Sequence, residues 1–385
     1  MFKIDFNAFR MVLLWTDLLL FALVLFIFIF IFYAHKREFY RVAWRQIRSR
    51  PMAMVCMGIC LLYLSVALLD SAHFQKRSVS ADGQRQTTKM GEPLYQANTL
   101  TILDYLCTGL RERTEKTFSA PLSAYQFTKE TVDLPAGKKI RNYPRLKYGG
   151  VTLEDPHHDK WQHISGLALK GLLRGLGAGL ILTGLAVSLL IFSRSFSSKK
   201  ESGARVGPAL KTGSFLAVVA LVVGVVASIS NHYHVLGTDQ VGQDVLYRAL
   251  KGCRVGLIVG TLTTLIATPL AILFGIMAGY FGGRIDDIVQ YIYTTLDSIP
   301  SILLIAAVML IVTASLAGTE QTIIASDKRL LWLCVVLGIG SWTGLCRLLR
   351  GETLKVREHE YIQAAEAFGV NRIAIMFRHI LPNVM

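Results

Sequence analysis

Residues 11–33 form a continuous apolar run broken only by Thr16 and Asp17. Coiled as a helix, a run of that length crosses a hydrocarbon layer of about 30 Å. In lipid the backbone must satisfy its own hydrogen bonds, which leaves only helices and closed barrels. Comparable runs follow at residues 52–69, 173–192, 213–229, 255–278, 288–314 and 330–349. The sequence therefore predicts an all-α polytopic membrane protein with seven spans. Composition agrees: the chain is 52% hydrophobic and only 17% charged, too little charge for a soluble domain of this length.

The net charge of +15 does not require a nucleic-acid partner. Lysine and arginine gather in the cytoplasmic loops of membrane proteins, and no zinc-finger spacing or basic zipper helix is present. Lys3 and Arg10 precede the first run, whereas Lys36, Arg37, Arg41, Arg45, Arg48 and Arg50 follow it. That asymmetry predicts an N-terminus outside and a cytoplasmic loop at residues 34–50. The first run is too long for a signal-peptide core and lacks a small-x-small cleavage site, so it reads as an uncleaved anchor. Asp17, within two turns of the outer end, is expected to reach the interface.

Residues 70–162 are polar, mixed in charge and about 90 residues long, the size of a small domain. They are expected outside, with a helix at 97–110 and turns and short strands at 132–151. Glu154, Asp155, His157, His158, Asp159 and His163 invite a metal reading. No HExxH and no cysteine accompany them, and Pro156 favours a solvated turn, so no metal site is assigned. Of the six cysteines, Cys56 and Cys60 are i, i+4 neighbours within one span and read as small packing residues.

Residues 356–385 read as helix, break, helix. Leu354, Tyr361, Ala365 and Phe368 share one side of a 3.6-residue period, and Gly369 supplies the stop. Asn371 caps a second helix, with Ile373, Met376, Phe377 and Ile380 as its apolar stripe and Pro382 as its interruption. With small residues at Ala364, Ala365 and Ala367, the pair is shaped to dock into another protein.

Gln363-Ala364-Ala365, Gly369 and Leu381-Pro382 match, in residue and spacing, the EAA coupling loop of ABC-importer permeases, with Gln363 replacing the usual acid. The ending His379 to Asn383 resembles the dipeptide/oligopeptide/nickel branch, specifically its second, C-type permease. The resemblance extends upstream. HVLGTDQVGQDVLYRALKGCR (residues 234–254) resembles that family's motif at Gly237, Thr238, Asp239, Gly242, Asp244, Arg248, Gly252 and Arg254. Gly279, Tyr280, Gly282, Gly283 and Asp286 match a cytoplasmic turn; Asp297 and Pro300 match an Asp-Ser-Ile-Pro motif; Arg347 and Arg350 match the entry to the coupling loop. The residues read locally as a turn at 237–239 and a short helix at 242–250 ended by Gly252, with Asp244 and Arg248 paired on its wet side. A structural elbow and a substrate contact both fit that helix, as helix kinking and lining of a path both fit Asp297 and Pro300. Gly260 and Gly275 permit close helix approach.

The resemblance implies a type I ABC-importer permease fold with an inserted α+β or irregular extracytoplasmic domain. Its parts are an extra N-terminal anchor and basic loop (1–50), a transmembrane helix (51–70), the extracytoplasmic domain (71–166), an inserted helix pair (167–230) and a permease core (231–385). Tyr361, Gln363, Ala364, Ala365, Gly369, Leu381 and Pro382 are the implied ATPase-coupling residues. Two further spans are usual in the family, so the chain is expected to be a truncated product, a fragment, or a permease completed by another chain. The implied activity is import of di- or oligopeptides across the bacterial inner membrane, with residue 385 in the cytoplasm. Nickel or another small solute is an alternative cargo, and a non-transporting membrane anchor an alternative role. Implied partners are a homologous permease in a heterodimer, two cytoplasmic ATPases carrying ATP and Mg, and an extracytoplasmic substrate-binding protein. The chain has no GxxxxGK[ST] loop of its own, nor any catalytic constellation, so it is not expected to be an enzyme.

Overall fold

The computed structural model describes residues 2–5, 9–78, 95–133, 139–153, 159–195, 206–316 and 322–384. Its helices are α1 (Trp15–Lys36), α2 (Glu38–Ser49), α3 (Pro51–Ser71), the short α4 (Ile102–Leu106) and α5 (Thr108–Glu112), α6 (Lys160–Ser195), α7 (Val206–Ser230) and α8 (Val245–Phe281). After them come α9 (Gly283–Ser298), α10 (Ser301–Ser315), α11 (Thr322–Arg357), α12 (Glu360–Ala367), α13 (Arg372–Ile375), a π-helical turn (Met376–Ile380) and α14 (Leu381–Val384). Strands β1 (Phe2–Asp5), β2 (Phe9–Leu13), β3 (His73–Arg77) and β4 (Tyr95–Thr101) form one sheet in that order, and β5 (Glu130–Asp133) pairs with β6 (Lys139–Asn142). Among the described residues α1, α3, α6, α8 and α11 are long and apolar enough to cross a membrane, and α9 with α10 makes a bent sixth candidate. The chain divides into two compact units, residues 3–12 with 22–254 and residues 1–2, 13–21 with 255–385.

In the first unit, the run expected to span from residue 11 becomes helical only at Trp15, because β2 takes its first residues. Antiparallel pairing of β2 with β3 (Phe9 opposite Lys76, Val12 opposite His73) satisfies that backbone outside a helix. Since β3 follows α3 directly, the segment before α1 and the segment after α3 lie on one side of the helical hairpin. The helix expected at 97–110 is likewise displaced. β4 pairs with β3 as far as Thr101, and only there does a capping box start α4: Thr101 Oγ1 accepts from Asp104 N, and Asp104 Oδ2 accepts from Thr101 N.

The helix pair α6–α7 is held by small residues. A Cβ at Gly171 would lie 2.7 Å from the Gly224 carbonyl, one at Gly175 2.6 Å from Leu221 Cα, and one at Gly179 3.1 Å from Ala217 Cα. Glycines at i, i+4 and i+8 let two helices approach this closely in lipid, where dispersion contacts replace the hydrophobic effect. Of the candidate metal ligands, residues 154–158 lie outside the described set; His163 sits with Nδ1 3.0 Å from the Tyr233 hydroxyl. No cluster of three or more potential ligands occurs among the described residues.

The second unit is built on α8, α9, α10 and α11. Gly252 does not stop a short helix: α8 runs unbroken from Val245, since a glycine without left-handed backbone only weakens a helix. The turn expected over 279–287 shrinks to Gly282 and Gly283, both with positive φ, and Gly279 lies inside α8. The expected span at 288–314 is two helices bent by 78° around Ile299 and Pro300. Pro300 cannot donate to residue 296, and its own carbonyl accepts from Leu303 and Leu304 to start α10. Asp17 is not at the protein surface. It is fully buried in the first turn of α1, accepting from Leu14 N at 3.4 Å. Next to it the Asp327 carboxylate at the start of α11 accepts from Trp15 N at 2.9 Å and from the Thr16 hydroxyl. An acid that satisfies helix-terminal N–H groups can stay buried at low cost.

Candidate coupling site

Helices α8 and α11 meet along a stripe of small residues. Ala267, Ala271, Ala278, Trp342, Cys346 and Leu349 share one buried cluster with Val289 and Tyr293 of α9. A Cβ at Gly275 would lie 2.8 Å from the Cys346 carbonyl, and one at Gly279 2.6 Å from Thr353 Cβ. At Gly260 the same atom would meet nothing within 4 Å, so Gly275 and not Gly260 is a point of close approach. Two ion pairs join α9 to α11. Asp286 takes a two-pronged contact from Arg350, with Nη2 to Oδ2 at 2.6 Å, and Asp297 pairs with Arg347. The Arg347 guanidinium also lies 5.0 Å from the centre of the Tyr293 ring. A bidentate arginine fixes orientation as well as distance, so α9 and α11 are constrained to move together.

Beyond Arg357 the chain turns through Glu358 and His359 into α12. That helix ends in a left-handed cap: Gly369 has φ 75°, Phe368 N donates to Ala364 O, and Val370 N donates to Ala365 O. Asn371 Oδ1 then accepts from Ile373 N at 3.0 Å and starts α13. Pro382 does not end the second helix. It lacks the N–H for residue 378, and the helix widens into the π-turn, with Leu381 N bonded to Met376 O, then continues to Val384.

The buried face differs from the expected stripe. Ile362, Ile375 and Ile380 are fully buried with Val356, Met376, Ile276 and Tyr280, and Ala365 and Leu381 pack against them. Tyr361, Phe368, Ile373 and Phe377 are exposed instead, Phe368 at 87%. Ala364 and Pro382 lie on the exposed side, as does Gln363, whose Nε2 donates to the Glu358 carbonyl. Of the expected second stripe Met376 and Ile380 are buried and Ile373 and Phe377 exposed, while on α12 Ile362 takes the interior in place of Tyr361 and Phe368. A firm core against α8 thus carries an open apolar face made of aromatics and small residues.

Gly237, Thr238, Asp239, Gly242, Asp244 and Arg248 belong to the first unit, and they form no wet helix face. Asp244 is 1% exposed and does not pair with Arg248. Its Oδ2 is 2.7 Å from His234 Nδ1, while its Oδ1 accepts from Leu246 N and caps α8. Arg248 reaches Asp239 at 2.8 Å and Gln243 instead. His234 Nε2 faces Glu115 at 3.4 Å, and Glu115 accepts from Lys147 N and Tyr148 N. Thr238 hydrogen-bonds to Thr117 and Ser119, and a Cβ at Gly242 would overlap the Glu115 carbonyl at 1.9 Å. A second group holds the start of α8: the Tyr247 hydroxyl donates to Asp104 at 2.5 Å, and Lys251 pairs with Asp104 at 2.9 Å. A Cβ added at Gly252 would meet nothing within 4 Å, and Arg254 is near enough to Asp70 for their charges to interact. His234 and Tyr247 lie within the motif read from the sequence, but Glu115, Asp104 and Lys251 carry no local pattern, because their partners lie up to about 150 positions away.

Burial opposes a charge on His234, but Asp244 and Glu115 outweigh it and hold the imidazolium up to about 9. Glu115 is buried too, yet His234 and the two backbone donors keep its carboxyl below the usual range. A histidine raised above its unfolded value of about 6.5 gives its full stabilisation below that pH and loses it as pH rises through the folded value. The first unit is therefore expected to lose on the order of 3 kcal/mol between pH 6.5 and 9. Thermal unfolding of wild type and His234→Gln across that range measures it; the difference between them should vanish near pH 10.

Residues 271–385 match the profile of a family described as binding-protein-dependent transport system inner membrane component. That segment holds the last eleven residues of α8, both ion pairs and the α11–α14 assembly. Among relatives, the dipeptide transport system permease protein DppC of Bacillus subtilis is 34% identical over 40% of this chain and 43% of its own length. The oligopeptide transport system permease protein OppC of Haemophilus influenzae is 33% identical over 40% of this chain and 45% of its own. The glutathione transport system permease protein GsiD of Pectobacterium atrosepticum is 34% identical over 39% of this chain and 45% of its own. The chain spans less than half the length of these relatives. Among the described residues the chain combines several helices long and apolar enough to cross a membrane with two small sheets.

Proposed function

We propose that this chain is a membrane-spanning subunit of an ATP-driven importer for di- or oligopeptides, working with a homologous permease. The observation that carries the reading is the exposed face of α12 mounted on a buried core. Ala364, Phe368 and Gln363 present a contact surface, while Ile362, Ala365 and Tyr280 tie it to α8. A cytoplasmic ATPase gripping that face moves α12, and the core passes the movement to α8 and α11 as a rigid body. ATP and Mg belong to two such ATPases, and an extracytoplasmic binding protein delivers the peptide. Gly369, Leu381 and Pro382 hold the loop in shape rather than touch the motor.

The same unit supports an orientation. The Trp15 and Thr16 contacts to Asp327 support a reading in which α1 and α11 start on one face of the bilayer. At 1.5 Å per residue, the 36-residue α11 is long enough to carry the coupling loop to the other. Lys355, Arg357, Arg372 and Arg378 on that loop support the cytoplasm of a bacterial cell, with the N-terminus outside.

The test is uptake of a labelled tripeptide into cells expressing the chain with its partner subunits. Uptake should require the chain and be competed by unlabelled peptides but not by nickel ions. Competition by nickel alone would move the cargo to the metal, and a folded chain supporting no uptake would leave an anchor.

A further inference from the structure

Between α1 and α3 stands α2, joined to each by a single extended residue, Arg37 (φ −99°, ψ 131°) and Arg50 (φ −92°, ψ 116°). Both neighbours are long and apolar enough to cross a membrane, so α2 is tethered at both ends to the bilayer surface. In its sequence EFYRVAWRQIRS, Tyr40, Trp44 and Ile47 recur at i, i+4 and i+7, and Arg41, Arg45 and Arg48 recur at the same spacing one position on. The 3.6-residue period therefore separates an aromatic edge from an arginine edge. Tyr40, Trp44 and Ile47 are all exposed.

The Tyr40 and Phe30 rings lie 5.6 Å apart, edge to face. Ten residues along a straight helix would separate them by about 15 Å, so α2 is turned back against the end of α1. Phe30 lies about 9 Å along the axis from the end of α1, within the depth to which an interfacial helix sinks its apolar face. At that end Lys36 lies 4.8 Å from the Phe32 ring and Arg37 5.5 Å from the Tyr33 ring, cations anchored on aromatics where the helix leaves the lipid. Across residues 36–50, Glu38 is the single acid against Lys36, Arg37, Arg41, Arg45, Arg48 and Arg50.

We propose that α2 lies in the headgroup layer, with Tyr40, Trp44 and Ile47 among the acyl chains, and that its arginine edge binds the phosphates of anionic phospholipids. Acyl chains cover the aromatic edge because α1 and α3 hold it at the level of the lipid. Acidic headgroups complement the cations, where a zwitterionic surface supplies no net charge. The inference concerns α1–α3 and stands or falls separately from transport.

Native mass spectrometry of the purified full chain, given phosphatidylglycerol or phosphatidylcholine in detergent, tests the headgroup. Phosphatidylglycerol should be retained preferentially, on the order of tenfold less by R41Q/R45Q/R48Q, and normally by R41K/R45K/R48K, since point charges suffice. Equal retention of the two lipids, or an unchanged glutamine variant, overturns the proposal. In phosphatidylglycerol nanodiscs, the fluorescence component lost in Trp44→Phe should be quenched by acyl-brominated lipid. Quenching of that component by aqueous acrylamide alone also overturns it and makes the aromatic edge a protein-docking face.

Discussion

A Phe368→Arg variant will lose co-purification with the partner ATPase by about tenfold or more and lose uptake with it, yet melt as the wild type does. Phe368 is 87% exposed, so the free chain gains almost nothing from it. Seated in a partner, a phenylalanine contributes roughly 1.5–3 kcal/mol by burial alone, and an arginine in the same cleft adds an uncompensated charge. Ile362→Ala is the contrasting case. Ile362 is fully buried between α12 and α8, and its truncation should cost about 2–5 kcal/mol of stability through the cavity left behind. Binding assays and thermal melts on the two variants separate a docking surface from a structural one. A Phe368→Arg chain that still holds its ATPase would remove α12 from the interface.

Gly279→Leu should act through the lever rather than its grip. The first carbon of the new side chain would lie 2.6 Å from Thr353 Cβ and 2.8 Å from the Arg350 carbonyl, with the helix backbones already in contact. To admit it, α11 must move away from α8, and Arg350 cannot follow without straining its two-pronged contact with Asp286. Overpacking of this kind costs about 1–3 kcal/mol, and the broken ion pair adds to it. Reduced melting temperature and uptake are expected together, with ATPase binding less affected than in Phe368→Arg. Gly260→Leu is the control, because open space surrounds that glycine on the same helix. Equal damage from both substitutions would argue against a specific α8–α11 contact.

The apolar runs made the helices readable, since a span of this length has few alternatives. The glycine cap at Gly369 and the Asn371 cap were readable for the same reason: each is set by backbone chemistry within three residues. What decides the rest is distant. Asp244 looked paired with Arg248 one turn on, but a buried imidazole ten positions back, itself flanked by Glu115, outcompetes an exposed arginine. Residues 11–13 looked like the start of a span until β3 offered them a ladder. On α12 and α13 both faces are apolar, and periodicity cannot say which one meets α8. Packing chose Ile362, Ile375 and Ile380 and left Tyr361, Phe368 and Phe377 outside.

The most direct measurement is site-specific labelling of Phe368→Cys, read by peptide mass spectrometry in sealed right-side-out and inverted membrane vesicles. An impermeant maleimide should modify position 368 only in inverted vesicles, and the bound ATPase should protect it. Modification from the outer face, or full reactivity with the ATPase in place, would contradict a cytoplasmic lever gripped by that motor.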